Sequence, residues 1–261
     1  MRIVIKIGGA AMDDSDLLHK CALAITEMAR EGHRIVVVHG GGAALTRTLK
    51  QLGKTSEFID GLRVTDSETR DVAVMVLAGR VNKMLVAAIN CLGQPAVGLC
   101  GGDGASFRAR KKRANGHELG FVGEICSVDP RWIEAIWENG GIPVISSVAL
   151  GSDGEYYNIN ADQMAAACAV ACHADALVFL TDVPGVTDAD GSVIRWLDLQ
   201  KALQLERASV ISGGMLPKLE ACQHALRSGV GRVRILPAAH SEVLPELCFS
   251  RVDLGTEVML A

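Results

Sequence analysis

At 261 residues, 49% of them hydrophobic and only 4% aromatic, the chain can bury a full core, and that core must be aliphatic, the usual filling between helices and a parallel sheet rather than an all-β sandwich. A formal net charge of −4 provides no overall field for nucleic acid or an anionic membrane, so an anionic ligand has to be held by local groups. Eight cysteines without a CxxC pair read as free thiols of a reducing compartment.

In chain order, β-branched residues at 2–7, interrupted by Lys6 and stopped at Gly8-Gly9, predict a buried strand ending in a glycine turn. The same interruption argues against a signal peptide. Residues 14–31 predict a helix with Leu17, Leu18, Cys21, Ala24, Ile25 and Met28 on one face and Gly32 as its stop. A second strand at 34–38 runs into His39-Gly40-Gly41-Gly42, and a helical pattern follows through Leu52. Next come a long helix at about 67–92, a strand at 95–100, and Gly101-Gly102-Asp103-Gly104 opening a polar hairpin-like region. The basic run 108–113 lacks interleaved aromatics and reads as a solvated hairpin face rather than a nucleic-acid patch.

A helix at 130–139 and a strand at 142–147 lead to a hairpin at 148–158 around Asp153-Gly154. An Ala-rich helix runs from Asn158 to Ala174 and a strand follows at 176–180; the apolar stretch from Met164 to Leu180 is broken by His173 and Asp175 and falls short of a membrane span. Cys168, Cys172 and His173 sit at helical spacing, but without a second ligand cluster they read as core, and no metal site is expected. The tail predicts helices at about 198–206 and 215–228, strands at 231–236 and 256–260, and a glycine pair at 213–214. Strands alternating with helices imply an α/β fold, a mostly parallel central sheet covered on both faces, with ligands at the carboxyl ends of the strands.

Glycine clusters follow three apolar strands, and a fourth opens a helix; glycine lets backbone N–H groups surround an anion, or simply makes a tight turn. Neither GxxxxGK[ST] nor a GxGxxG that opens a helix after a strand is present, which disfavours a P-loop ATPase and a dinucleotide dehydrogenase. Lys6, within an apolar strand, is costly to bury unless it meets an anion. Lys218, one turn into the helix after Gly214, is either a second such cation or a solvated helix residue. Asn158 and Asn160 either line a site or cap the next helix.

KIGGAA at 6–11, HGGG at 39–42, GLRVTD at 61–66, NINAD at 158–162, LTDVPGV at 180–186 and SGGMLPK at 212–218 stand in one order along the chain. In that ordered set the sequence resembles the acetylglutamate kinases of the amino-acid-kinase family. The resemblance spans nearly the whole chain and implies a three-layer αβα sandwich, with residues 1–175 as an acceptor-substrate and dimerisation lobe and 176–261 as an ATP-binding lobe. It implies transfer of phosphate from ATP, with Mg²⁺ carried by the nucleotide, to the side-chain carboxylate of N-acetyl-L-glutamate, the second step of arginine (ornithine) biosynthesis.

Carried over by motif, Lys6 and Lys218 would be the catalytic cations and Asp162 their organiser. Gly41, Gly42, Arg63 and Asn158 would bind the substrate. Gly8, Gly9, Thr181, Asp182, Val183, Pro184, Gly185, Val186, Ile211, Ser212 and Gly213 would bind ATP. His39 is read as fixing its turn rather than as a base, since an ionised carboxylate needs none. The resemblance further implies a cytoplasmic homodimer with no nucleic-acid or membrane partner. Regulated members carry an extra N-terminal helix that joins a hexamer, so a chain whose first strand begins at residue 2 is expected to escape inhibition by arginine. The alternatives are a kinase for a related acyl substrate, such as carrier-linked aminoadipate of lysine biosynthesis, or a non-catalytic sensor of amino acid and nucleotide.

Overall fold

In a computed structural model, residues 1–59, 61–113, 118–247 and 253–260 are described, the side chains of Ala10 and Leu247 excepted. The first half comprises β1 (Arg2–Ile7), α1 (Gly9–Asp13), α2 (Ser15–Arg30), β2 (Arg34–His39), α3 (Gly42–Gln51), β3 (Phe58–Ile59), β4 (Leu62–Arg63), α4 (Ser67–Ala73), a π-helical stretch (Val74–Val81), α5 (Asn82–Cys91) and β5 (Ala96–Leu99). Next follow β6 (Phe107–Lys111), β7 (Val122–Val128), α6 (Arg131–Glu138), β8 (Ile142–Ser146), β9 (Val148–Gly151), β10 (Tyr156–Ile159) and α7 (Ala161–Ala171). The last part holds β11 (Ala176–Thr181), β12 (Trp196–Asp198), α8 (Leu199–Arg207), α9 (Met215–Arg227), β13 (Arg232–Pro237), α10 (Leu244–Leu247) and β14 (Thr256–Met259). Asn158 lies in β10, and the Ala-rich helix starts only at Ala161. Its cap is Asn160, whose side chain accepts from the N–H groups of Asp162 and Gln163 at 2.9 and 3.2 Å.

Eight strands form one sheet in the order β12-β14-β13-β11-β1-β2-β8-β5, all neighbours parallel except β13 with β14. β1 is central, pairing β2 on one side and β11 on the other, so the chain winds outward from it in both directions. Strand alternation sends Ile3, Ile5 and Ile7 into one core, beneath α2 and the long helix. It sends Val4 and Lys6 to the other face, whose core is shared with α7 and α9. The sheet is thus the middle of three layers, as the alternating pattern predicts. A smaller sheet, β10-β7-β6-β9, closes on itself through β9 and β10.

The helix from Ser67 to Cys91 is long and apolar enough to cross a membrane by length and composition. Here Val72, Val76, Leu77, Val81, Leu85 and Ile89 are buried in the core against the sheet. The basic run lies on β6, where Arg110 pairs with Glu124 and Lys111 with Glu118, the solvated hairpin face expected of it. Cys21, Cys91, Cys100, Cys126, Cys168, Cys172 and Cys222 are free thiols, while Cys248 lies outside the described residues.

The cluster Gly101–Gly104 corrects its reading as an anion loop. A Cβ on Gly101 would meet Ala149 Cα at 2.7 Å and the Phe107 carbonyl at 2.8 Å, and one on Gly104 would meet Trp132 Nε1 at 1.8 Å. Glycine is required there because the turn after β5 is pressed against β6, β9 and α6. Gly101→Ala is therefore expected to lower stability by about 1–3 kcal/mol through overpacking, seen as a fall in the urea midpoint at unchanged slope.

Candidate active site

Lys6 is on β1 one residue before its end, between Val38 of β2 and Phe179 of β11 in the register. Its side chain points toward the first turn of α7, where Asp162 stands. Lys6 Nζ lies 2.8 Å from Asp162 Oδ1, and Lys218 Nζ, from the first turn of α9, lies 3.0 Å from each carboxylate oxygen. All three residues are buried, and the Lys218 ammonium also sits 5.1 Å from the centre of the Phe179 ring. Two cations drawn from opposite ends of the chain thus share one carboxylate.

The electrostatics of this group follow from its arithmetic. Burial alone raises the Asp162 pKa, but the charges and hydrogen bonds of Lys6 and Lys218 outweigh it and hold the carboxyl below its ordinary value. Lys218 is pushed the other way from an ordinary ammonium: burial and the neighbouring Lys6 charge lower its pKa more than Asp162 raises it. One positive charge remains uncompensated within the group, and an anion entering beside it is favoured.

The backbone beside the triad consists of two helix starts. A Cβ on Gly9, the first residue of α1, would lie 3.9 Å from the Gly42 nitrogen at the start of α3. The N–H groups of Gly41 and Gly42 precede the first intrahelical bond of α3, from Leu45 N–H to the Gly41 carbonyl at 2.9 Å, and helix starts of this kind attract anions. Gly41 is glycine for a steric reason as well, because a Cβ there would meet Leu77 Cδ2 at 2.6 Å. Gly8 departs from expectation: its N–H donates to the Leu180 carbonyl at 2.9 Å, and so is not open to a phosphate. Its small size is what counts, since a Cβ would meet that same carbonyl at 3.0 Å.

A cleft of about 150 Å³ brings Gly41, Gly42, Arg63 and Asn158 together, with Phe58 and Leu77 among its apolar walls. Arg63 is buried at 7% exposure; its Nη2 donates to Thr46 Oγ1 at 2.7 Å and the Gly42 carbonyl at 3.1 Å, and its Nη1 donates to Ser56 Oγ. The guanidinium stacks over the Phe58 ring at 4.6 Å. Burial holds its pKa below the usual value, and no carboxylate among the described residues offsets that. Asn158 Nδ2 lies 3.5 Å from Thr65 Oγ1 and leaves capping to Asn160. A larger cavity of about 300 Å³, lined by core side chains such as Ile3, Met28 and Leu244, opens toward the amino ends of β1 and β11, away from the glycine turns.

Of the stretch after β11, Thr181 is buried and its hydroxyl donates to Asp182 Oδ1 at 3.1 Å, while Asp182 and Pro184 are exposed and Val183 is half-buried. Val186 departs from expectation. Its side chain is in the core, and its N–H donates to Thr256 Oγ1 at 2.8 Å. Gly185 is packed on the same residue, where a Cβ would meet Thr256 Oγ1 at 2.8 Å. Ile211 is likewise a core side chain, whereas Ser212 and Gly213 are exposed at the entry to α9. Sequence reasoning missed Ser56, Thr46 and Phe58 around Arg63, and Phe179 beside Lys218. An aromatic in the short apolar patch before GLRVTD was the one available signal.

Residues 1–237 match the Amino acid kinase family. The acetylglutamate kinase of Acidobacterium capsulatum is 64% identical over 259 residues, which cover 99% of either chain, and that of Koribacter versatilis is 56% identical over the same span and coverage. Among solved structures, the N-acetylglutamate synthase from Neisseria gonorrhoeae, complexed with coenzyme A and N-acetyl-glutamate, superposes with a TM-score of 0.88 at 28% identity, over 100% of this chain and 59% of that one.

Asp162→Asn should destabilise the fold by about 3–5 kcal/mol, the usual loss when one partner of a buried ion pair is removed. Denaturant unfolding with and without sulfate checks this, since an anion should restore part of the loss. In the parent protein the contribution of Asp162 carries the sign of a depressed carboxyl. It is fully present above the unfolded value of about 3.9 and is lost as pH falls through the lower folded value.

Proposed function

The chain belongs to the amino acid kinase family and, within it, to the acetylglutamate kinases, and from that membership we infer how its buried charges work. The enzyme transfers phosphate from ATP to the side-chain carboxylate of N-acetyl-L-glutamate, giving N-acetyl-L-glutamyl 5-phosphate and ADP, the kinase step of arginine biosynthesis. The observation that carries the assignment of roles is the one carboxylate shared between two buried ammonium groups at the strand ends.

A carboxylate with an ordinary pKa of about 4.3 is ionised at neutral pH, so the nucleophile needs no base. One of its oxygens forms a bond to the γ-phosphorus as the bond to the β-phosphate oxygen breaks, and ADP leaves with that electron pair. The reaction requires two anions to be aligned and the charge on the transferring group to be neutralised. We assign Lys6 to the transferring phosphoryl group and Lys218 to the nucleotide phosphates. Asp162 holds both in place without contacting substrate. The N–H groups of Gly9, Gly41 and Gly42 face phosphoryl oxygens and the acceptor carboxylate, Arg63 takes the α-carboxylate, and Asn158 takes the acetamido group.

The exposed residues Asp182, Pro184, Ser212 and Gly213 and the half-buried Val183 line the nucleotide, with Thr181, Gly185, Val186 and Ile211 supporting them from the core. Mg²⁺ enters with ATP and stays mostly on phosphate and water. Residues 1–175 form the acceptor side and 176–261 the nucleotide side of one sheet. We assign a cytoplasmic location, in keeping with the free thiols. We assign a homodimer, a reading supported by the long helix, whose most apolar window is 44% buried within its own chain and which leaves Met75 and Met84 exposed. Neither the aminoadipate-linked substrate nor a silent sensor is favoured.

An ADP-release assay with N-acetylglutamate, glutamate, aspartate and carbamate is expected to respond to the first alone; a response to unacetylated glutamate alone would overturn the substrate. Lys6→Ala and Lys218→Ala should each lower kcat about 10²–10³-fold, as for loss of one electrostatic stabiliser. Arg63→Ala should raise KM for the acceptor by about tenfold or more, the value of a lost charged hydrogen bond, while KM for MgATP stays put. Light scattering should return twice the mass of the chain.

A further inference from the structure

The helix from Ser67 to Cys91 changes its winding over Val74–Val81, where it is π-helical, and such segments gather at functional sites. Asn82 follows at once and is fully buried. Its side-chain nitrogen donates to the Val144 carbonyl at 2.9 Å and lies 3.1 Å from His39 Nε2, while its oxygen has no partner among the described residues. His39, at the end of β2, is buried as completely, and its Nδ1 lies 2.8 Å from the Gly40 carbonyl.

These contacts fix the protons. A carbonyl only accepts, so the atom of Asn82 that faces Val144 must be the NH₂ group. Its second hydrogen points at His39 Nε2, which is then the lone-pair nitrogen, and the one ring proton sits on Nδ1 and is donated to the Gly40 carbonyl. Charging the ring would set N–H against N–H. Burial, together with the nearby Lys83 charge, accordingly keeps its pKa down at about 4.

The Gly40 carbonyl and the Gly41 N–H belong to one trans peptide unit and point in opposite directions. Clamping the carbonyl therefore aims the N–H. The same helix presses Leu77 and Val81 against Gly41, so the loop is held from below by packing and from behind by hydrogen bonding.

We propose that Asn82 is a positioning residue: by selecting the Nδ1–H form of His39 it locks the Gly40–Gly41 peptide so that the Gly41 N–H is held toward the acceptor cleft. The catalytic consequence rests on the reading of that cleft given above, whereas the tautomer does not.

Long-range ¹H–¹⁵N spectra of the imidazole in the unmodified enzyme should show the Nδ1–H pattern without titration from about pH 5.5 upward; an Nε2–H pattern, or a ring that titrates there, overturns the proposal. Two substitutions separate the halves of the relay. His39→Asn sets an amide nitrogen near the place of Nδ1 and keeps a donor for Gly40. His39→Gln reaches the place of Nε2 and keeps only the partner of Asn82. At matched melting temperatures, His39→Gln should lose about tenfold more kcat than His39→Asn, with KM for MgATP unchanged in both; equal losses would reduce His39 to packing. Asn82→Asp, nearly isosteric, replaces the donor by an acceptor. It should move the ring proton to Nε2 and lower kcat by about tenfold to a hundredfold, less than or equal to the loss of one whole donor; a retained Nδ1–H pattern with unchanged kcat contradicts the relay. Should the unmodified enzyme release no ADP with any acceptor, the reading of the cleft fails, and the imidazole spectrum still decides the tautomer.

Discussion

Lys6 and Lys218 carry like charges into the core, and the single carboxylate of Asp162 allows both to stay there. An ammonium without a partner at that depth would lose its proton or force the strand outward. Asp162 is in the first turn of α7, where the helix dipole favours a negative charge, and Asn160 caps the turn beneath it. Two lysines on one acid still leave the group positive, so the interaction that keeps these charges buried also favours an anion beside them. Most of the architecture can be viewed as a way of bringing these three side chains to one point: β1 in the middle of the sheet, and α7 and α9 packed together on the same face with their first turns at the strand ends.

The opposite face of the sheet does different work. There the long helix lies under the loop after β2 and governs its shape through Leu77, Val81 and Asn82. Charge neutralisation is thus organised from one layer and peptide orientation from the other, and the sheet between them keeps the two in register. Arg63 joins them to the cleft beside the loop, since its guanidinium already holds the Gly42 carbonyl.

Much of this was legible in the sequence because strong periods leave strong marks. The strands at 2–7, 34–38 and 176–180 and the helix at 14–31 emerge from apolar patterning alone, and Lys6 declares itself as a charge inside an otherwise apolar strand just before a glycine pair. Lys218 and Arg63 are less plain, since a lysine on a helix or an arginine in a loop looks the same whether solvated or buried; the residues leave Lys218 as one of two alternatives, and only the resemblance singles out Arg63. Glycine misled at 101–104 and 8, because the same residue serves an open N–H and a crowded turn. β3, β4 and β12 are too short to display a period. Asn82 was hidden by the change of winding before it, which shifts the face that a 3.6-residue repeat assigns to everything beyond.

The central place of β1 has a consequence for how the protein is made. It leaves the ribosome long before one of its two neighbours, since β11 is not translated until residue 176, and the second lysine appears only at 218. During the intervening synthesis one edge of this buried strand has nothing to pair with, an interval in which a nascent chain depends on chaperones or on its own α2 for shelter. It also follows that no truncated product lacking the last fifth of the polypeptide can assemble the triad. Ribosomal stalling or early proteolysis therefore leaves fragments in which Asp162 has only one of its two lysines.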